Sequence, residues 1–119
     1  MPPTEDYTAP LLIYSCVYVL LLEGDRYYVG VTQNLSMRLA QHYQSRGSQA
    51  TRAYPPIDVE KVIFGGGQKC ERETTLKYIR KFGFNFPDGS PRVRGGGWAG
   101  INSKGPKEKV VDVTPETLR

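Results

Sequence analysis

Metal clusters, membrane spans and secretory leaders each leave a mark in sequence, and this chain carries little of any. It has two cysteines, Cys16 and Cys70, and no Cys-x-x-Cys pair, which argues against a zinc cluster. Both are expected as reduced core residues, consistent with an intracellular protein of the cytoplasm or nucleus. Its apolar runs, APLLIY and VYVLLL, are interrupted by Ser15 and Cys16. They fall short of the roughly 18–20 consecutive apolar residues of a membrane span. The start lacks a basic leading region and an Ala-x-Ala site, so neither a signal peptide nor a membrane partner is expected. No internal repeat is present. Histidine occurs once, at His42, and tryptophan once, at Trp98.

What is present is mild basicity and tyrosine. A net charge of +4 suits a polyanion such as nucleic acid, though many soluble proteins carry as much. Eight tyrosines combine stacking faces with acidic, hydrogen-bonding hydroxyls. The length of 119 residues fits one domain with a modest core.

Residues 1–9 are polar and proline-rich; residues 1–12 are expected as an arm, residues 13–102 as the domain and residues 103–119 as a tail, with a short strand over 110–113. A strand over 13–22 is apolar on both faces and should be central. Glu23-Gly24-Asp25 makes a hairpin turn into a second strand over 26–31, which brings Tyr18 and Tyr28 together on neighbouring strands. Residues 32–34 cap a helix on which Leu35, Leu39 and Tyr43 form the inward stripe. Arg38 and His42, four apart, share one edge of it. The helix ends near Arg46-Gly47, and 47–56 reads as a loop. A third strand over 57–64 follows two prolines, which suits an edge. A second helix over 71–82 stops at Gly83. The fold class is therefore α/β (α+β): a small three-stranded, mainly antiparallel sheet flanked by helices, in the order β-β-α-β-α.

On the second helix, Thr75, Leu76, Tyr78, Ile79 and Phe82 set the inward arc. Glu71 falls within that arc, and Glu73 falls opposite with Lys77 and Arg80. A carboxylate on an apolar face needs a partner or a metal ion, which singles out Glu71. The competing reading is a carboxylate placed only to favour the helix N-terminus. Arg92, Arg94, Trp98, Lys104 and Lys107 make a basic, glycine-rich segment with one aromatic. It reads either as a DNA-backbone strip with Trp98 stacking on a base, or as a loop wrapping the sheet with Trp98 in the core.

Val17-Tyr18-Val19 and Tyr28-Val29-Gly30 resemble the two tripeptides that name the GIY-YIG nuclease family. Asn34-Leu35-x-x-Arg38-Leu39-x-x-His42 resembles its next helix. Glu71-x-x-x-Thr75-Leu76-Lys77-Tyr78, Lys81-Phe82-Gly83 and Val93-Arg94-Gly95-Gly96 resemble the second half of its short stand-alone members, a likeness covering about residues 14–97. The resemblance implies a Mg²⁺- or Mn²⁺-dependent endonuclease cutting DNA, with RNA as an open alternative and oligomeric state undetermined. It implies a site made of Tyr18, Tyr28, Arg38, His42 and Glu71. Glu71 would hold one ion, Arg38 would clamp the phosphate, and Tyr18, its pKa lowered, would act as base with Tyr28 or His42 assisting. Two departures stand out. Valines flank Tyr18 where the family has Gly and Ile, and Arg92 occupies the place of a late asparagine, a role that the resemblance then leaves to Asn85. Asn85, Arg94 and Trp98 are the expected substrate contacts.

Overall fold

Cys-Val-Tyr-Val-Leu-Leu-Leu is β-branched, aromatic or apolar at nearly every position, and it forms the innermost strand, β1 (Cys16–Leu22). The computed structural model of the chain describes residues 15–97, 101 and 105. Within it β1 lies between β2 (Arg26–Thr32) and β3 (Pro56–Phe64), antiparallel to both. Six of its seven residues are buried, each large aliphatic stabilising by roughly 1.5–3 kcal/mol.

Alternation then divides the chain into two layers. Val17 and Val19 face α3 (Gln68–Phe82) and join Val29, Leu76, Tyr78, Ile79, Val93 and Ile101 in one core. Tyr18, Leu20 and Leu22 face the other way. They pack with Leu35 and Leu39 of α1 (Leu35–Tyr43) and Ala50 of α2 (Gln49–Ala53).

The α/β class holds, and two elements depart from the expected order. The sheet has four strands, β3-β1-β2-β4, because β4 (Val93–Gly95) pairs with Tyr27, Tyr28 and Val29 of β2 in parallel. β4 lies in the basic, glycine-rich segment, where no strand is expected from sequence, and only the long-range ladder on β2 defines it. The loop expected over 47–56 contains α2, capped by the Ser48 side chain, which accepts from the Thr51 N–H at 3.2 Å. β3 is the expected edge strand, with two register irregularities against β1 and exposed Asp58, Glu60 and Lys61 that discourage further pairing. Gly83 ends α3 as expected.

α1 differs from its helical-wheel reading. Tyr43 is 47 % exposed, and the buried residue is His42 at 0 %. Both cysteines are free thiols, Cys16 buried and Cys70 partly so. The N-terminal arm, Trp98, Lys104, Lys107 and the C-terminal strand expected over 110–113 lie outside the described residues.

Candidate active site

β4 stops opposite Val29, so among the described residues Gly30, Val31 and Thr32 of β2 have no strand partner on that side. A cleft of ≈ 600 Å³ lies at that uncovered end, lined by Tyr18, Tyr28, Gly30, Val31, Thr32, Arg38, Glu71 and Gly97. Residues from β1, β2, α1 and α3 thus meet where the sheet stops, and Glu71 reaches the Tyr18 side although α3 packs on the opposite layer.

The hairpin register sets the two tyrosines. Tyr18 pairs with Gly30 and Leu20 with Tyr28, so the phenols are diagonal neighbours on one face with ring centroids 6.3 Å apart. Gly30 is required here. A Cβ at that position would overlap the Tyr18 hydroxyl, which lies across the Gly30 backbone.

Behind Tyr18 lies His42. The Tyr18 hydroxyl and His42 Nε2 are 2.8 Å apart, and His42 Nδ1 is 2.9 Å from Thr51 Oγ1. The His42 ring also packs 5.1 Å from that of Tyr28. Tyr18 and His42 are nearly inaccessible, at 1 % and 0 % exposure. Burial, reinforced by the Arg38 charge, lowers the His42 pKa to about 4, so the imidazole is neutral at physiological pH.

The tyrosines correct an expectation. Tyr18 was expected to have a lowered pKa. Burial instead raises it strongly, aided by neighbouring Tyr28, and the downward pull of Arg38 is too small to compensate. Burial raises Tyr28 in the same way, against opposing effects of Arg38 and Ser48. Neither phenol is a ready-made phenolate.

Arg38 is half-buried at the cleft, and its Nη1 donates to Gln41 Oε1 at 2.6 Å. Glu71 is 1 % exposed, whereas Glu73 and Lys77 are exposed, as the helical wheel indicated. Among the described residues no group of three or more His, Cys, Asp or Glu could hold a metal ion. The cleft therefore offers one carboxylate, a donor set that fits a hard ion keeping several waters rather than a fully ligated one.

Asn85 and Arg94 lie apart from this cleft. Arg94 Nη2 donates to Asn85 Oδ1 at 2.6 Å, and Arg94 Nη1 donates to the Phe84 carbonyl at 2.6 Å. The Arg94 guanidinium sits 3.6 Å over the Phe84 ring, and that of Arg92 lies over Phe86. Arg94 also lines a second hollow of ≈ 500 Å³ with Ser48, Gln49 and Tyr54, which shares Tyr28 and Gly97 with the first.

Thr51 and Ser48 contact the site without having been singled out from sequence. The available signal was local: Ser48 followed three positions later by Thr51 can cap a short helix.

The GIY-YIG catalytic domain model matches residues 14–83. A UPF0213 protein of Neisseria meningitidis is 34% identical over 66 residues, covering 53% of this chain and 71% of that protein. A UPF0213 protein of Neisseria gonorrhoeae matches with the same identity and coverage. One from Xanthomonas campestris pv. campestris is 40% identical over 43 residues, covering 36% of this chain and 42% of its own length. No solved structure matches the chain.

Proposed function

The chain belongs to the GIY-YIG catalytic domain family, and from that premise we propose that it is a divalent-metal-dependent endonuclease that hydrolyses DNA phosphodiester bonds. The observation that carries this reading is the convergence of Tyr18, Tyr28, Arg38 and Glu71 on one cleft, with His42 hydrogen-bonded behind Tyr18. With one such cleft per chain, each visit cuts one strand.

Phosphodiester hydrolysis needs a proton acceptor for water, positive charge at the phosphate and support for the leaving oxygen. Arg38 presents a fixed fork of donors to the phosphate, supplying charge and orientation. Tyr18 takes the proton of the attacking water as its own hydroxyl proton passes to His42 Nε2, so the phenol never bears a full charge in its buried setting. The water oxygen bonds to phosphorus, the bond from phosphorus to the leaving oxygen breaks, and the water's proton ends on the imidazole, which returns it to solvent as the leaving oxygen takes a proton from solvent. Tyr28, beside Arg38, helps hold the phosphate. Glu71 would hold Mg²⁺ or Mn²⁺, and an ion bound there supplies charge neutralisation and stabilises the leaving oxygen. The adjoining hollow at Arg94 and Tyr54 extends the cleft and gives the strand a path with a cation beside it.

A nucleic-acid-binding module without catalysis would have the same net charge but no need for Glu71 in the cleft. The pair of assays that separates them is cleavage and gel-shift binding on wild type and Glu71→Ala. The proposal expects Glu71→Ala to lose cleavage and keep binding. Binding by wild type without cleavage in either Mg²⁺ or Mn²⁺ would overturn it.

A further inference from the structure

His42 can carry its proton on either ring nitrogen, and only one choice lets it receive a proton from Tyr18. Both ends of the hydrogen-bonded chain select the same one. At the outer end, the Thr51 hydroxyl has two acceptors on Ser48, the carbonyl and Oγ, each at 3.2 Å. A proton given to either leaves Thr51 Oγ1 to accept at 2.9 Å from His42 Nδ1. At the inner end, the Tyr18 oxygen sits beside Arg38, whose guanidinium has only donors. Were Nε2 also a donor, the Tyr18 hydroxyl proton would have neither of these neighbours as acceptor. With Nε2 unprotonated, Tyr18 donates to His42, and its oxygen keeps its lone pairs toward the Arg38 side of the cleft.

The surroundings hold this arrangement rigidly. Thr51 is 0 % exposed, in the short helix whose first turn Ser48 caps. Gly47 lets the chain cross close to the imidazole, because a Cβ there would overlap His42 Nδ1.

We propose that Thr51 is a positioning residue, which accepts the Nδ1–H of His42 and so fixes the imidazole with Nε2 free to take the Tyr18 proton. α2 thereby acts as a strut for the proton relay, without itself touching the substrate. The proposal rests on the nuclease reading for its consequence, but the tautomer is measurable without any activity.

The test is long-range ¹⁵N–¹H correlation NMR on the full chain at neutral pH, where the only histidine gives two ring-nitrogen signals. Wild type is expected to show Nδ1 protonated and Nε2 bare. Thr51→Val, which keeps the shape and removes the hydroxyl, should move the ring toward the Nε2–H form, and Thr51→Ser should restore the wild-type pattern. In cleavage assays Thr51→Val should lower kcat roughly 10- to 100-fold with KM held, as expected for an outer partner of a functional imidazole, and Thr51→Ser should recover it. Wild-type Nε2–H, or a tautomer unchanged in Thr51→Val, would overturn the proposal. The wild-type spectrum decides alone should Thr51→Val not fold. Absence of any wild-type cleavage would count against the nuclease reading, and the tautomer result would still judge the role of Thr51.

Discussion

The two faces of this sheet use the same residue type for different ends. On the α3 face, Tyr27 stacks on Phe82 at 4.6 Å and tilts against Tyr78 at 5.3 Å. The Tyr78 hydroxyl runs out to Glu60 on the edge strand, at 3.0 Å. On the α1 and α2 face, Tyr18 and Tyr28 surround a buried histidine, and the Tyr18 hydroxyl runs inward to His42 and Thr51. Burial raises the pKa of Tyr18 and Tyr78 alike. A perturbed tyrosine is therefore no sign of function here. What separates the two is where the hydroxyl leads: Tyr78 to a carboxylate on the edge strand, Tyr18 to a neutral imidazole at a cleft that also holds Arg38 and Glu71.

The sharpest way to break the contrast is at the carboxylate. Glu71→Gln keeps the shape and removes the charge that would hold the ion. The loss is expected to be several kcal/mol of transition-state stabilisation, a fall in cleavage rate of roughly 10³-fold or more, read in single-turnover assays. The exposed Glu73→Gln, on the far side of the same helix, should leave the rate unchanged.

Next come the two buried hydroxyls. Tyr18→Phe should slow cleavage by roughly 10²- to 10⁴-fold, whereas Tyr78→Phe should leave the rate at wild type. Tyr18→Phe also leaves His42 Nε2 without its partner, at a cost of about 1–3 kcal/mol in urea unfolding. Equal losses of rate from the two substitutions would erase the contrast between the faces.

Gly30→Ala tests the close approach that seats Tyr18. Forcing a methyl group into the Tyr18 hydroxyl should cost about 1–3 kcal/mol of stability and displace the phenol, lowering the cleavage rate as well.

The last expected effect is on stability against pH rather than on the cleavage rate. His42 has a folded pKa of about 4 against 6.5 when unfolded, so the unfolded chain binds more protons between those values. Its contribution is complete above pH 6.5 and is lost as pH falls toward 4. Between pH 7.5 and 5 the loss is roughly 2 kcal/mol from this group, read as the part of the pH dependence that disappears in His42→Gln.

Much of this contrast was legible in sequence, and the missing parts share a cause. Apolar residues on both faces marked β1 as central, and the prolines before residue 57 marked β3 as an edge. Helical periodicity separated Glu71 from Glu73, because α3 has a long, well-defined buried arc. α1 has no such arc. Its leucines are only half-buried, and the burial of His42 is set by Tyr18 and Thr51, residues 24 and 9 positions away. β4 has three residues and α2 has five, each too short for periodicity to identify. β4 exists because β2 offers it a ladder, and α2 packs Ala50 beneath a Ser48 cap. The basic segment, open between a DNA strip and a structural wrap, has Arg92 and Arg94 against phenylalanine rings and backbone carbonyls.

We propose that the cleft at the open end of β2 breaks phosphodiester bonds. This is tested most directly by incubating supercoiled plasmid with purified wild type and Glu71→Gln in Mg²⁺ or Mn²⁺, and resolving the topological forms. Wild type is expected to give nicked circles, and Glu71→Gln to leave the supercoils intact. Wild type that leaves the plasmid intact in both ions, or a Glu71→Gln that nicks at the wild-type rate, would contradict it.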